Sequence, residues 1–136
     1  MAGVRTLAGT MVALGLAAAP AAAAGDNAAP RIVAAKASER GERMVRVVVV
    51  GRDRDDVVRG VEVTWGDAQP AQGLSACEQT SRRAERRRRG RRERFVLTHE
   101  YAGPGHYTIT LHVLSGGCGK RPQQRSAARM LEAHVE

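Results

Sequence analysis

The sequence predicts an all-β protein built as an antiparallel β-sandwich. Three observations carry that reading: short runs of β-branched residues, side-chain alternation of period two within them, and Gly-, Asp- or Pro-containing breaks between them. Strands repeated at this spacing, in a chain that holds one domain, are the pattern of a sandwich.

The first two dozen residues stand outside that pattern. Arg5 supplies a short positive start, an apolar stretch runs from Leu7 to Ala19, and Pro20 breaks it. Ala22 and Ala24 satisfy the small-x-small rule of a signal peptidase, so residues 1–24 are expected to be an export signal cleaved after Ala24. The rival reading is a retained anchor. It suffers because Ala is barely hydrophobic and the stretch is short for about 30 Å of hydrocarbon. Residues 25–30 are expected to form a flexible mature terminus, and 31–136 one domain of a size that supports one core. The expected product is therefore secreted or periplasmic, and no longer anchored in a membrane.

Within the domain, "IVAAK" (32–36) reads as a short first strand and "SERGE" as a turn at Gly41. "MVRVVVVG" (44–51) is rich in β-branched side chains, with Arg46 marking the outward face and Val45, Val47 and Val49 the inward one. "DRDD" (53–56) is a polar loop. "GVEVTW" (60–65) alternates Val61, Val63 and Trp65 against Glu62 and Thr64, and "GDAQPAQG" (66–73) breaks the strand. "RFVLTHEY" (94–101) puts Phe95, Leu97 and His99 inward. "YTITLHV" (107–113) is the clearest strand, with Tyr107, Ile109, Leu111 and Val113 inward, and "SGGCGKRPQQ" (115–124) is a loop. "RSAARMLEAHVE" (125–136) favours helix by residue preference, but strand by the parity of Leu131, Ala133 and Val135. Strand is the reading adopted, for about seven strands in all, with Trp65, Phe95, Leu97, Tyr107, Ile109, Leu111 and Val113 in one core.

Between Ser81 and Arg94 lie nine arginines: Arg82, Arg83, Arg86, Arg87, Arg88, Arg89, Arg91, Arg92 and Arg94. Only Glu85 and Glu93 oppose them, for a local +7, and the whole chain carries +8, of which the leader's Arg5 is one. With Ala84 the single apolar residue here, the segment is expected to be a solvated loop or fraying helix. Arg suits a polyanion contact because its planar guanidinium pairs bidentately with phosphate or carboxylate. No aromatic lies in the run, so base stacking and sequence-specific nucleic-acid recognition are not expected.

Cys77 and Cys118 are the two cysteines of the chain. In an exported protein an even count points to a disulfide, and closing a loop of this length stabilises by about 4 kcal/mol on the chain-entropy account.

Taken together, "VTWGD" (63–67) and "HEYAGPGHYTITLHV" (99–113) resemble the PKD domain, an immunoglobulin-like β-sandwich. Trp65, Gly66 and Asp67 match the family's aromatic strand and Gly-Asp turn. His99, Tyr101, Gly105, Tyr107, Thr108, Thr110, Leu111 and Val113 match its second block, with Ile109 in place of Val. Ala68 replaces the second glycine usual after the Asp, and the Arg-rich insertion is foreign to the pattern. The resemblance implies structural roles for these residues. Gly66 and Gly105 would turn the chain, Asp67 would hold backbone amides, His99 would bond the Gly-Asp turn or backbone, and Tyr101 would pin a corner.

The remaining chemistry is sparse. Ser75, Ser81 and Ser115 sit in no nucleophile elbow, carboxylates form no acid/base pair, and no enzyme is expected. No Cys/His spacing suits zinc; His106 and His112 lie about 20 Å apart along one strand, and His112 and His134 are candidates to face each other. Asp53, Asp55 and Asp56 could coordinate calcium, but Arg52 and Arg54 interleave with them. Neither a metal nor any other cofactor is expected. The expected function is that of an exported non-catalytic binding or spacer module, as PKD-like domains generally are, with a protein or glycan partner of the envelope or extracellular space. The alternative is a polyanion binder acting through 81–94, its ligand an acidic glycan, nucleic acid or anionic lipid.

Overall fold

The computed structural model describes residues 28–75, 77, 81–118 and 122–136. The expected export signal and residues 25–27 lie outside them. Residues 28–30 are tied to the domain: the Ala28 amide donates to Asp55 Oδ2 at 2.9 Å, and Pro30 is buried.

Among the described residues, eight strands form two antiparallel sheets, where about seven were expected. The first sheet has β1 (Arg31–Glu39), β2 (Met44–Arg52) and β5 (Arg92–Glu100), with β2 in the middle. The second has β3 (Val58–Thr64), β4 (Gln72–Ser75), β6 (Gly105–Gly116), β7 (Gln123–Arg125) and β8 (Arg129–Val135). Strand β6 is its axis, pairing with β3 on one side and with β7 and β8 on the other. A seven-residue helix, α1 (Arg82–Arg88), lies between β4 and β5.

Alternation places the core. Val45, Val47, Val49 and Leu97 of the first sheet meet Val58, Val61, Val63, Ile109, Leu111, Val113, Ala133 and Val135 of the second, with Trp65 and Tyr101 closing one end. The face-to-face burial of period-two side chains makes this a β-sandwich. Phe95 and Tyr107, expected in the core, are half-buried at its margin. Phe95 lies on β5, an edge strand of the first sheet, and Tyr107 stands near the start of β6, where it stacks on Tyr101.

Several expected boundaries move. β1 runs to Glu39, beyond the five residues expected, because its register with β2 continues from Ala34↔Val50 to Glu39↔Val45. Gln72–Ser75, whose first two residues were read as part of a break, is a strand because Leu74 and Gly73 pair with Val61 and Glu62. Of residues 115–124, read as a loop, Ser115 and Gly116 instead end β6 and Gln123 and Gln124 begin β7 through Ser115↔Gln124, while 119–121 lie outside the described residues. The last segment is strand: β8 pairs with β6 from Gly105↔Val135 to Leu111↔Arg129. Cross-strand hydrogen bonds and burial of Ala133 and Val135 outweigh its helix preference.

Cys77 and Cys118 form a disulfide, Cα atoms 5.7 Å apart, that ties the chain after β4 to the chain after β6. No helix among the described residues is long and apolar enough to cross a membrane.

Candidate functional site

At one end of the sandwich, the matched motif residues form a closed corner. Trp65 follows β3 and is buried. Gly66 then turns at φ 79°, where any Cβ would run into the carbonyl oxygen of Thr108. That turn brings Asp67 to β5, and His99 Nε2–H donates to Asp67 Oδ2 at 2.7 Å. Asp67 was expected to hold backbone amides; the His99 ring takes that place because β5 crosses beside the turn.

His99 stacks on Trp65 with ring centroids 4.6 Å apart and meets Tyr101 edge-on at 4.7 Å. Tyr101 stacks in turn on Tyr107 at 3.8 Å. The hydroxyls and indole are engaged as well: Tyr101 donates to Trp65 O at 2.7 Å, Tyr107 to Gly103 O at 2.8 Å, and Trp65 Nε1 to Gln72 Oε1 at 2.9 Å. Burial pushes the Tyr101 hydroxyl up to about 12, with the Asp67 carboxylate and Tyr107 adding to it. Gly105, at φ 156°, opens β6 opposite Val135. These groups bond one another, and Asp67 Oδ1 is left buried without a hydrogen-bond partner among the described residues.

The other expected site changes shape. Residues 81–94 are not one loop. Ser81 caps α1, its hydroxyl accepting from the Ala84 amide at 3.2 Å, and Gly90 at φ 71° ends the turn that follows. From Arg92 the chain is strand β5. Ala84 was the only anchor evident in the sequence. The anchor in the structure is ionic: Glu85 receives Arg59 Nη2 at 2.5 Å, and the Arg59 side chain is only 5 % exposed. A bulge between Val58 and Gly60 sets Arg59 out of register and frees it to reach the helix.

Arg82, Arg83, Arg86, Arg87, Arg89 and Arg91 are exposed, and none makes an ion pair with a described residue. Arg88 bonds Glu93 at 3.3 Å. Arg92 and Arg94 lie apart from these, on the outer face of the first sheet.

That outer face is where the register gathers charge. Arg31, Arg52 and Arg92 occupy one cross-strand row, since Arg31 pairs with Arg52 and Arg52 with Arg92. Farther along, Arg94 stands opposite Val50, Lys36 opposite Val48, and Arg46 opposite Thr98. Neighbouring strands are about 4.8 Å apart, so like charges directly opposite cost stability. Six cations thus share a face whose strands carry Glu100, at the far end opposite Met44, as the one acid of outward parity. Val48, Val50 and the partly exposed Val96 form an apolar floor between them.

The row runs into the helix end of the molecule, where Arg52 Nε donates to Gly90 O at 2.8 Å. Arg31, Arg52 and Arg54 line a shallow cleft there with Ala28 and Ala29. Arg31, Lys36 and Arg52 escaped the reading of the sequence as site residues. Arg46 was read only as outward-facing.

The acidic loop 53–56 is not a solvated turn. Asp53 is buried; its Oδ1 accepts the amides of Asp55 and Asp56 at 2.9 and 3.1 Å, and its Oδ2 accepts the Ser115 hydroxyl. Its carboxylate organises the loop. Among the described residues, no three His, Cys, Asp or Glu side chains are grouped to hold a metal.

No family model matches this chain, and no curated protein or solved structure matches it.

Proposed function

We propose that this chain is an exported, non-catalytic β-sandwich of PKD-like type that binds an acidic glycan of the cell envelope or extracellular space on the outer face of its three-stranded sheet. The observation that carries the reading is the cross-strand row Arg31–Arg52–Arg92, extended by Lys36, Arg46 and Arg94. Three arginines abreast repel one another, and an anion spanning them removes that cost. Guanidinium groups pair bidentately with carboxylate or sulfate, while the valine floor accommodates the apolar face of a sugar ring. A flat, rigid face with charges spaced by strand geometry suits an extended polymer better than a small ligand, which needs a concave pocket. The exposed arginines of α1 add a second patch beside the row.

Heparin chromatography of residues 25–136 tests this. The wild-type domain is expected to elute above physiological salt, with affinity falling steeply as salt rises. Replacing Arg31, Arg52 and Arg92 by Ser should move elution well below it without loss of the β spectrum. The proposal fails if the wild type elutes below physiological salt or if the triple variant elutes with it. Equal or tighter retention on single-stranded DNA would reassign the face to nucleic acid.

A further inference from the structure

The opposite face of the molecule has the opposite character. On the outer side of the second sheet, β8 presents Met130, Glu132 and His134 in succession, and β6 presents His106, Thr108, Thr110 and His112. Glu62 of β3 lies beside His112, its carboxylate bonded to Arg125. The sequence left His112 as the candidate partner of His134. Register decides otherwise: His106 is directly opposite His134, and their ring centroids are 4.3 Å apart.

The four histidines are not equivalent. His99 gives Nε2 to Asp67 inside the aromatic corner, and His112 Nδ1 is bonded to Ser126 O at 3.0 Å. His106 and His134 are exposed, and neither ring has a hydrogen-bond partner among the described residues. Two imidazoles on adjacent strands are thus held side by side, facing each other and water.

We propose that His106 and His134 form a two-nitrogen site for a divalent transition ion, with Cu²⁺ favoured over Ni²⁺ and Zn²⁺. Imidazole nitrogens bind such ions at about 2.1 Å, so two of them in adjacent coordination positions lie about 3 Å apart. Rings whose centroids are 4.3 Å apart and whose planes are tilted by 37° reach that separation by side-chain rotation alone. The strands supply the rigidity: the pair sits in a ladder continuous from Gly105↔Val135 to Leu111↔Arg129. Glu132 precedes His134 by two residues on the same face of β8, and its charge favours a cation there despite the chain's positive total. The Glu132 carboxylate is held by the Thr108 hydroxyl at 3.1 Å. With no third donor converging among the described residues, water fills the remaining positions, which suits the tetragonal N,O preference of Cu²⁺. The site is independent of the basic face, which lies on the other sheet.

Calorimetric titration of the tag-free chain with CuCl₂, NiCl₂ and ZnCl₂ tests the proposal, with Cu²⁺ electron paramagnetic resonance to count nitrogen ligands. One Cu²⁺ per chain with two imidazole nitrogens is expected, binding more tightly than Ni²⁺ or Zn²⁺. His106→Asn and His134→Asn should each weaken Cu²⁺ binding at least tenfold, while His112→Asn leaves it unchanged. Both positions are exposed, and an unchanged circular dichroism spectrum verifies folding. Equal binding by the wild type and the His106→Asn/His134→Asn double variant would overturn the site and assign the ion to the amino terminus or elsewhere. Equal weakening by His112→Asn would overturn it too.

Discussion

The Tyr101 hydroxyl donates to the backbone carbonyl of Trp65 at 2.7 Å, joining two residues from different sheets across 36 positions of sequence. Tyr101 lies just past the end of β5 and Trp65 just past the end of β3, so this one bond sets how the sheets meet at that end. Both residues are only 1 % exposed, and water cannot replace the bond. Tyr101→Phe keeps the ring and leaves the carbonyl unpaired, and is expected to cost about 1–3 kcal/mol in urea unfolding.

The same hydroxyl gives the fold an alkaline limit. The folded state holds the Tyr101 proton up to about 12, against 10.0 for the free group. The folded state therefore binds the proton more tightly than the unfolded chain. Its contribution to stability is complete below pH 10 and is lost as pH rises toward 12. Unfolding free energies measured from pH 8 to 12 should fall through that window in the wild type, and less so in Tyr101→Phe.

Gly66 is the residue that turns the chain into the corner, at a positive φ and in contact with the backbone of Thr108. Gly66→Ala combines left-handed strain with a backbone collision and is expected to destabilise by at least about 1–3 kcal/mol. Gly73 offers the control: a Cβ there meets nothing within 4 Å. Gly73→Ala should be neutral or slightly stabilising, so equal losses at the two positions would count against this account of the turn.

The Cys77–Cys118 bond closes a separation of 41 residues. Its removal as Cys77→Ser/Cys118→Ser is expected to cost about 4 kcal/mol on the chain-entropy account, read as a lower melting temperature. Protein purified without reductant should show no free thiol.

The two groups of arginines should separate in their effects. Replacing Arg86, Arg87, Arg88 and Arg89 by Ser on and after α1 also removes the half-buried Arg88–Glu93 bond at 3.3 Å, a single ion pair of small value. A modest drop in heparin elution with little change in thermal stability is expected. Replacing Arg31, Arg52 and Arg92 should cut retention more, with little net change in stability, because relief of the repulsive row offsets loss of the Arg52–Gly90 bond. Unchanged or higher retention in the second variant would refute that assignment.

Strand parity was legible because it is local. The valines of 44–51, the alternation of 60–65 and 107–113, and the inward set Leu131, Ala133 and Val135 announce themselves within a few residues. The cysteine pair followed from its count alone. By contrast β4 and β7 are four and three residues long and exposed, with no periodic apolar signal; pairing with β3 and β6 makes them strands.

What the sequence determined by itself was which faces of which segments turn inward, and that an Arg-rich stretch interrupts them. What only the tertiary structure decided was which outward residues become neighbours. Arg31 meets Arg52 and Arg92, His106 meets His134 instead of His112, and Arg59 meets Glu85, through strand registers and a bulge. The physical reason is that burial is a property each residue brings with it, whereas register is the joint outcome of backbone ladders between distant segments. A slip of one residue leaves a segment's own pattern unchanged but exchanges its two faces, so only the assembled core selects the alignment. The candidate sites of this protein are made of such alignments.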